Sequence, residues 1–413
     1  MRMGRRRSRV FSSVAVPAVL LTAAAGCATT DVTDPKSRGA ASASTAASST
    51  GPDPSASASP SPSASVDPAE AEKAVWWEAV VRPTLPGAGH VGNPAAFVET
   101  DQALEGRVWS AGLPGGMIRV VRDGEVIHEH VVGSVGADTP LPMASATKWF
   151  TAAVIMSLVE EGRIDLDAPI STYLAAARQP GVVTEGVKVR NLLTHTSGVR
   201  DVACQVQPSA SPAACADTLL RTPLEYPVNT QVAYGNGPWH LAGLLVAAVA
   251  GVPFEELFRV RVAEPLGLTS SNFGGGPNTG TGGSLTTTLN DYSRFLEMII
   301  GAGTTRDGVK VLSPAATAEM VSNQLEDHGA WIGGADITTG ITEYGIGMWI
   351  DKLDGSGRSE IISGNASRGY YPWIDFANNS YGVLAVSDGR GAELAVPASQ
   401  KVAYAAIDAA RRY

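Results

Sequence analysis

Segments rich in β-forming residues lie near both ends of the foldable part of this chain, and helical segments lie between them. GGMIRVVRDGEVIHEHVVG contains two β-rich runs around Asp123-Gly124, a pair that favours a tight hairpin turn. Further β-rich runs follow from YGIGMWIDK onwards, whereas apolar stretches such as KWFTAAVIMSLVEEG, which ends in glycine, are typical of helices. This order predicts one sheet built from both chain ends, with a helical insertion at about residues 150–290.

The first 72 residues are not expected to belong to the folded unit. Residues 1–26 hold a basic segment, an apolar stretch and the small residues Ala-Ala-Gly, which is the layout of an export signal. Cys27 follows at once and resembles the acylated cysteine of a bacterial lipoprotein lipobox; the alternative is an ordinary cleaved signal. Residues 27–72 are mostly Ala, Ser, Thr, Pro and Asp and cannot bury a core, so they form a low-complexity tether. Residues 73–413 remain as one folded domain.

Charge and cysteine content narrow the function classes. The chain has 31 Lys and Arg against 40 Asp and Glu, a net charge of −9, which argues against a nucleic-acid partner. Cys204 and Cys215 lie in a loop-like stretch, and an exported protein favours a disulfide between them; two buried free thiols are the alternative. No CxxC is present and the six histidines are scattered, so we expect no metal site.

Ser145 and Lys148 stand three positions apart at the start of a long apolar segment, PMASATKWFTAAVIMSLVEEG. On a helix the two side chains share a face, and an amine whose pKa is lowered by burial can activate a serine hydroxyl. The chain contains 7 Lys and 24 Arg, so most of its positively charged side chains are arginines and a lysine at this position is unusual. An arginine could not serve, because it does not deprotonate. The alternative is a serine that merely caps a helix.

Tyr234 and Asn236 form a second candidate element in QVAYGNGPWHLAG, just before a predicted helix. A phenol near a lysine ammonium loses its proton more easily and can act as a general base. Asn236 offers an amide to a substrate carbonyl or to the lysine. The alternative is a buried tyrosine beside an asparagine that only bonds its own loop.

Together these stretches resemble the class C serine β-lactamases, the penicillin-binding DD-peptidases and the related esterases. VRNLLTHTSGV, EPLGLTSSNF, GTGGSLTTTLNDYSRFLEMI and YGIGMWI add to the resemblance, which covers about residues 105–390 in the family's order. It implies an α/β (α+β) fold: an antiparallel sheet flanked by helices, with an inserted all-helical domain. It also implies that Ser145 is the acylated nucleophile, Lys148 its activating partner, Tyr234 the base and Asn236 a substrate-positioning amide. In the family His195 is not the base, so we expect a structural role for it, and we expect His240 to be a core histidine with its hydrogen bonds satisfied.

The chain departs from the family at its third motif, where Lys or His normally lies on a strand beside the cleft. The corresponding stretch, IISGNASRGYYPWID, contains neither. The resemblance implies that the oxyanion hole would use the N–H of Ser145 and that of Ala366 or Ser367. Arg368 is the candidate for the missing positive charge; the alternative is that no residue supplies it. Ser367 and Arg368 are therefore predicted to bind substrate.

These observations predict an extracytoplasmic, lipid-anchored serine hydrolase that forms an acyl-enzyme on Ser145. The substrate is an ester or amide: a small ester, a β-lactam or a cell-wall D-Ala peptide, as in esterases and carboxypeptidases. No cofactor is expected, the lipid anchor is the only membrane contact expected, and the protein is expected to be a monomer. The alternative is a cell-surface binding protein that keeps the scaffold without catalysis.

Overall fold

The structure is a computed structural model that describes residues 93–325, 331 and 339–413. The predicted export signal (1–26), Cys27, the tether (27–72) and residues 73–92 of the predicted domain lie outside the described residues.

A seven-stranded antiparallel sheet forms the centre of the domain, in the order β2-β1-β9-β8-β7-β6-β5. A separate two-stranded ribbon joins β3 to β4. The strands are β1 (Gly115–Arg122), β2 (Glu125–Gly133), β3 (Leu141–Pro142), β4 (Thr286–Thr287), β5 (Glu343–Tyr344), β6 (Trp349–Leu353), β7 (Ser359–Ser363), β8 (Tyr371–Asp375) and β9 (Ser380–Ala385). Strand β1 pairs antiparallel with β9, so the two ends of the domain meet in one sheet, as predicted.

The α-helices of the described residues lie mostly between the two groups of strands. They are α1 (Val98–Ser110), α2 (Thr147–Glu160), α3 (Val189–Leu193), α4 (Pro212–Arg221), α5 (Gly237–Ala250), α6 (Phe254–Phe258), α7 (Glu264–Leu266), α8 (Leu289–Ile300), α9 (Pro314–Val321) and α10 (Ala392–Arg412). The stretch PFEELFRVRVAEPLG is helical, with a π-helical turn over Arg259–Ala263 between α6 and α7. Among the described residues, no single helix is both long enough and apolar enough to cross a bilayer. Only the bent pair Gly237–Ala250 and Phe254–Leu266, taken together, meets both requirements.

The β1–β2 hairpin turns at the predicted position. Asp123 has φ 52° and Gly124 has φ 76°, and positive φ at both central residues is what a type I′ turn requires. Tight turns of this type match the right-handed twist of the two strands. The prediction of a hairpin from Asp123-Gly124 is confirmed.

The sheet separates two hydrophobic cores. On β1, Met117 and Val121 belong to the core that contains α2, whereas Ile118 and Val120 belong to the core under α1 and α10. This alternation follows from the two-residue period of a strand. Helix α2 is apolar around its whole circumference and is buried from Thr147 to Leu158, as expected of a helix in the centre of a domain. Ser145 therefore lies just before a helix that is buried in the core.

Candidate active site

Ser145 lies in a 3₁₀ turn, Ala144–Ala146, that leads directly into α2. The preceding residue, Ala144, has φ 46°, a left-handed conformation that is unfavourable for a side chain with a Cβ. Strain of this kind persists only where surrounding contacts enforce it, and it is concentrated at functional sites. The turn holds Ser145 at the wall of a cavity.

Lys148 is fully buried one turn into α2. Its Nζ donates to Asn236 Oδ1 and to the carbonyl oxygen of Gly282, both at 2.8 Å, and lies 4.7 Å from the ring centroid of Tyr234. Burial lowers the pKa of Lys148 to about 7, although the negative charge of Asp201 opposes the shift. A substantial fraction of the amine is therefore neutral near pH 7, as an activating base requires.

Tyr234 connects the nucleophile to the interior of the domain. Burial raises the pKa of Tyr234 far above its usual value, and the hydroxyls of Ser145 and Tyr344 lower it by less. The phenol thus keeps its proton near neutral pH. The resemblance implies Tyr234 as the base and Lys148 as the partner that activates Ser145, whereas these opposite pKa shifts favour Lys148 as the base.

Asn236 is positioned by two neighbours that the sequence did not indicate. Asp201 Oδ1 accepts the backbone N–H groups of Asn236 and Gly237, at 2.7 and 2.6 Å, and so caps the start of α5. Gly282 passes so close that an added Cβ would lie 2.9 Å from Asn236 Oδ1. Gly282 belongs to GTGGSLTTT, already part of the family resemblance, but Asp201 is brought in only by the fold.

The cavity at Ser145 has a volume of about 170 Å³. Its lining residues are Ala144, Ser145, Gln205, Val206, Asn236, His240, Gly280, Gly282, Gly283, Ser284 and Ser367. A larger cavity of about 450 Å³, lined in part by Phe258 and Leu268, shares none of these residues and so does not contain Ser145, and we place the candidate chemistry in the smaller one.

The third-motif stretch reaches this cavity through Ser367. Ala366 is fully buried and does not line the cavity, so Ser367 is the better placed of the two predicted oxyanion donors. Arg368 is exposed and is not among the described residues that line the cavity, so the structure does not bring the predicted cation to Ser145. Ser363, at the start of the motif, instead hydrogen-bonds Asp351 Oδ1 at 2.5 Å.

Cys204 and Cys215 form a disulfide, as the sequence predicts. The bond ties the start of α4 to the short turn that contains Gln205 and Val206. Both of those residues line the cavity, and Val206 is 72% exposed. The disulfide therefore supports one wall of the candidate site, a role that the cysteine spacing did not indicate.

His195 and His240 are both buried, and the structure gives each a different set of contacts. His195 is fully buried, accepts the Gly235 N–H at Nδ1 (3.3 Å) and lies 3.3 Å from the Tyr344 hydroxyl at Nε2. It thus supports Tyr234 through Tyr344, in line with the expected structural role. His240 is buried, as expected, and its Nε2 lies 3.0 Å from Asn278 Oδ1, but the expectation that its hydrogen bonds are satisfied is wrong. It lines the cavity, and within the described part of the chain its Nδ1 has no hydrogen-bond partner.

The aromatic residues near Tyr234 are not those of the third motif. Tyr370, Tyr371 and Trp373 are fully buried in the two main cores, where they pack the sheet. Trp349 instead stacks on Tyr234, with ring centroids 5.2 Å apart. With Tyr344, it comes from the YGIGMWI segment. The described residues include no group of three or more His, Cys, Asp or Glu side chains arranged to hold a metal ion.

Comparison with known proteins agrees with this architecture. A family model described as Beta-lactamase matches residues 100–407. A candidate β-lactamase from Bacteroides dorei DSM 17855 has a TM-score of 0.69 and 29% identity, and covers 76% of this chain and 99% of its own. Penicillin-binding protein 4 of Amycolatopsis lactamdurans is 26% identical over 254 residues, 50% of this chain and 65% of that protein. A D-aminopeptidase of Brucella anthropi is 29% identical over 171 residues, 38% of this chain and 32% of that protein.

The matched range contains the whole described sheet, the helices between its strands and the turn that carries Ser145. The chain is accordingly a member of the β-lactamase family, a family of serine hydrolases.

Proposed function

We propose that this chain hydrolyses an ester or amide through an acyl-enzyme on Ser145. The observation that carries the proposal is the contact set around the nucleophile. Ser145 acts on Tyr234 closely enough to lower the pKa of the phenol, and Tyr234 lies beside a buried lysine whose pKa is lowered to about 7. A scaffold without catalysis has no physical need for a buried amine of this kind, because burying it costs free energy.

In the first half of the reaction, the neutral amine of Lys148 takes up the proton of the Ser145 hydroxyl, with the Tyr234 hydroxyl as the bridge. Ser145 Oγ then bonds to the carbonyl carbon of the substrate. The N–H groups of Ser145 and Ser367 are the candidate donors to the resulting oxyanion. The bond to the leaving group breaks, and the proton held by Lys148 passes to the departing oxygen or nitrogen. In the second half, a water molecule attacks the acyl carbon and gives up a proton to Lys148. The bond between that carbon and Ser145 Oγ breaks, and the proton returns through Tyr234 to Ser145 Oγ, which releases the acid and restores the hydroxyl.

Small esters are the substrates that the third motif favours. Family members with Lys or His there hold a substrate carboxylate, whereas the described lining of this cavity contains no Lys or Arg. A carboxylate in the site would lack a charged partner, so β-lactams and D-Ala peptides lose an interaction that esters do not need. The D-aminopeptidase relative, by its name, acts on substrates with D-amino acids, and amides of this kind are the second class to test.

We propose an extracytoplasmic location, with a lipid on Cys27 as the membrane anchor. The Cys204–Cys215 disulfide supports an oxidising compartment, because such bonds rarely persist in the bacterial cytosol. The mass of membrane-extracted protein tests the anchor. An N-terminus at Cys27 with added acyl mass is expected, and an unmodified Cys27 thiol would refute it.

The test of catalysis is intact-protein mass spectrometry after mixing the purified protein with p-nitrophenyl acetate and butyrate, nitrocefin, a penicillin and a D-Ala-D-Ala peptide. We expect an ester to add its acyl mass at Ser145, and Ser145→Ala to prevent it. Labelling by nitrocefin or penicillin alone would contradict the preference for esters. The absence of both label and turnover with every compound would instead favour the non-catalytic binding protein.

A further inference from the structure

His240 lines the cavity and carries a buried hydrogen-bonding atom that the acyl-transfer scheme does not use. It lies on α5 one turn after Asn236, so the two side chains share a helix face, and both line the cavity. The His240 side chain belongs to a residue that is only 1% exposed, and within the described residues its Nδ1 is buried without a hydrogen-bond partner. An unpaired buried acceptor costs free energy unless a ligand or solvent pairs with it.

The neighbouring amide determines which nitrogen of His240 carries the proton. Asn278 Nδ2 donates to the carbonyl oxygens of Cys204 (2.8 Å) and Gln207 (3.0 Å), so Asn278 Oδ1 must face His240. That oxygen lies 3.0 Å from His240 Nε2 and can only accept, so Nε2 carries the hydrogen. Burial lowers the pKa of His240, which keeps the ring neutral with a single N–H. Nδ1 is therefore a bare acceptor.

We propose that His240 Nδ1 accepts a hydrogen bond from an N–H or O–H group in the acyl part of the substrate, and so selects acyl groups that carry such a donor. The inference rests on the proposed function, because it concerns the substrate of that same site. Asn278 and the disulfide-linked turn hold the ring in place through the carbonyl of Cys204. The N–H or O–H group of the substrate gives Nδ1 the hydrogen-bond partner that this buried network otherwise lacks. The expected effect is that of one hydrogen bond, about threefold to tenfold in kcat/KM.

Matched esters isolate this hydrogen bond. The p-nitrophenyl esters of N-acetylglycine and of 4-oxopentanoic acid differ only by NH in place of CH₂. Those of 3-hydroxybutanoic and 3-methylbutanoic acid differ only by OH in place of CH₃. We expect at least one donor-bearing ester to have the larger kcat/KM, by about threefold to tenfold.

Two substitutions distinguish loss of the Nδ1 acceptor from loss of the hydrogen bond to Asn278 that holds the ring. His240→Gln can place an N–H near the position of Nε2, which keeps the bond to Asn278 but removes the acceptor. His240→Asn can place an oxygen near the position of Nδ1 and lose the Asn278 contact instead. We expect the donor preference to disappear in His240→Gln and to survive in part in His240→Asn. His128→Gln, on the edge strand β2, is the control and should leave the ratio unchanged.

A second readout does not depend on turnover. In ¹⁵N-histidine-labelled Ser145→Ala protein, N-acetylglycinamide should shift the Nδ1 resonance of His240 and 4-oxopentanamide should not. Turnover of all esters with equal kcat/KM within each pair, together with no selective shift, would overturn the inference and leave the proposed function standing. A selective shift of the His240 Nδ1 resonance without turnover of any ester would support the inference and contradict the proposed function.

Discussion

At the scale of single residues, the Lys148 amine donates to two neutral oxygens, the side chain of Asn236 and the carbonyl of Gly282. Neutral partners satisfy the N–H groups without stabilising the positive charge as much as a paired carboxylate would. Desolvation therefore dominates, and the pKa falls to about 7. The chain otherwise prefers arginine, whose charge burial cannot remove so easily.

The acylation rate is expected to follow the neutral fraction of Lys148. With a pKa of about 7, kcat/KM for a small ester should rise about tenfold per pH unit below pH 6 and level off above pH 8. Lys148→Arg keeps the positive charge, but a guanidinium does not lose its proton in this pH range and cannot act as a base. The variant should therefore lower kcat/KM by about 10²- to 10⁴-fold. Stopped-flow release of p-nitrophenol between pH 5 and 9 measures both. A pH profile centred near 10 would show that Tyr234 or an unshifted lysine is the base.

At the scale of an element, helix α5 presents Asn236 and His240 to the cavity from one face, and its start is capped from outside by Asp201. A carboxylate at a helix N-terminus pairs with N–H groups that have no partner inside the helix. Here it also lies close enough to raise the pKa of Lys148 against the effect of burial. One side chain thus supports both the position of Asn236 and the charge of the amine.

Replacement of Asp201 should separate those two effects. Asp201→Asn retains an oxygen for the cap but removes the charge, so the pKa of Lys148 should fall further and the midpoint of the pH–rate profile should move below 7. Asp201→Ala also removes the cap, and should lower the free energy of unfolding by about 0.5–2 kcal/mol. The pH–rate profile and urea unfolding of both variants test this. An upward shift of the midpoint in Asp201→Asn would contradict the assigned charge effect.

At the scale of the whole molecule, polar contacts join the sheet to helices α1 and α10. Asp351 on β6 accepts hydrogen bonds from Ser363 on β7, Tyr371 on β8 and Tyr404 on α10. On the same face of the sheet, Arg107 of α1 pairs with Asp388 after β9 at 2.8 Å, and both side chains are buried.

Asp351 should make stability depend on pH. Burial raises its pKa from 3.8 to about 7 despite those hydrogen bonds, so between these values the folded protein holds a proton that the unfolded chain has lost. The contribution of this group is therefore complete below pH 4, declines as the pH rises to about 7 and is constant above it. Asp351→Asn should remove that decline, measured as Tm between pH 4 and 8. An unchanged slope in the variant would refute the assignment.

The Arg107–Asp388 pair should be needed for stability at neutral pH. The pKa of Asp388 is lowered to about 2, where hydrogen bonds and charge from Arg390 and Arg107 outweigh burial, so its contribution is present above pH 4 and lost as the pH falls towards 2. Arg107→Met leaves the buried carboxylate with one partner fewer, and should cost about 3 kcal/mol in urea unfolding. Arg390→Met removes the more exposed partner and is the control, with a much smaller loss. Equal losses in the two variants would show that burial of Arg107 is not the cause.

Local patterns in the sequence were sufficient for the hairpin, for α2 and for the meeting of both chain ends in one sheet. A turn type, an apolar period and a terminal glycine each depend on residues a few positions apart. The pairs Ser145–Lys148 and Tyr234–Asn236 were recognised for the same reason, since each lies within one short motif. The meeting of the two pairs, 88 residues apart at the Lys148–Asn236 contact, followed only from the family resemblance until the fold placed them together.

Tertiary structure alone decided the properties that depend on residues distant in the chain. The pKa of Lys148 depends on burial and on Asp201, and the free acceptor of His240 depends on Asn278 and the disulfide-linked turn. The same holds for Arg368, which sequence proximity to the third motif made a candidate and which the fold leaves outside the cavity lining. Burial, electrostatic fields and hydrogen-bond saturation are properties of a three-dimensional neighbourhood, so a one-dimensional pattern indicates which residues can react but not the environment that makes them do so.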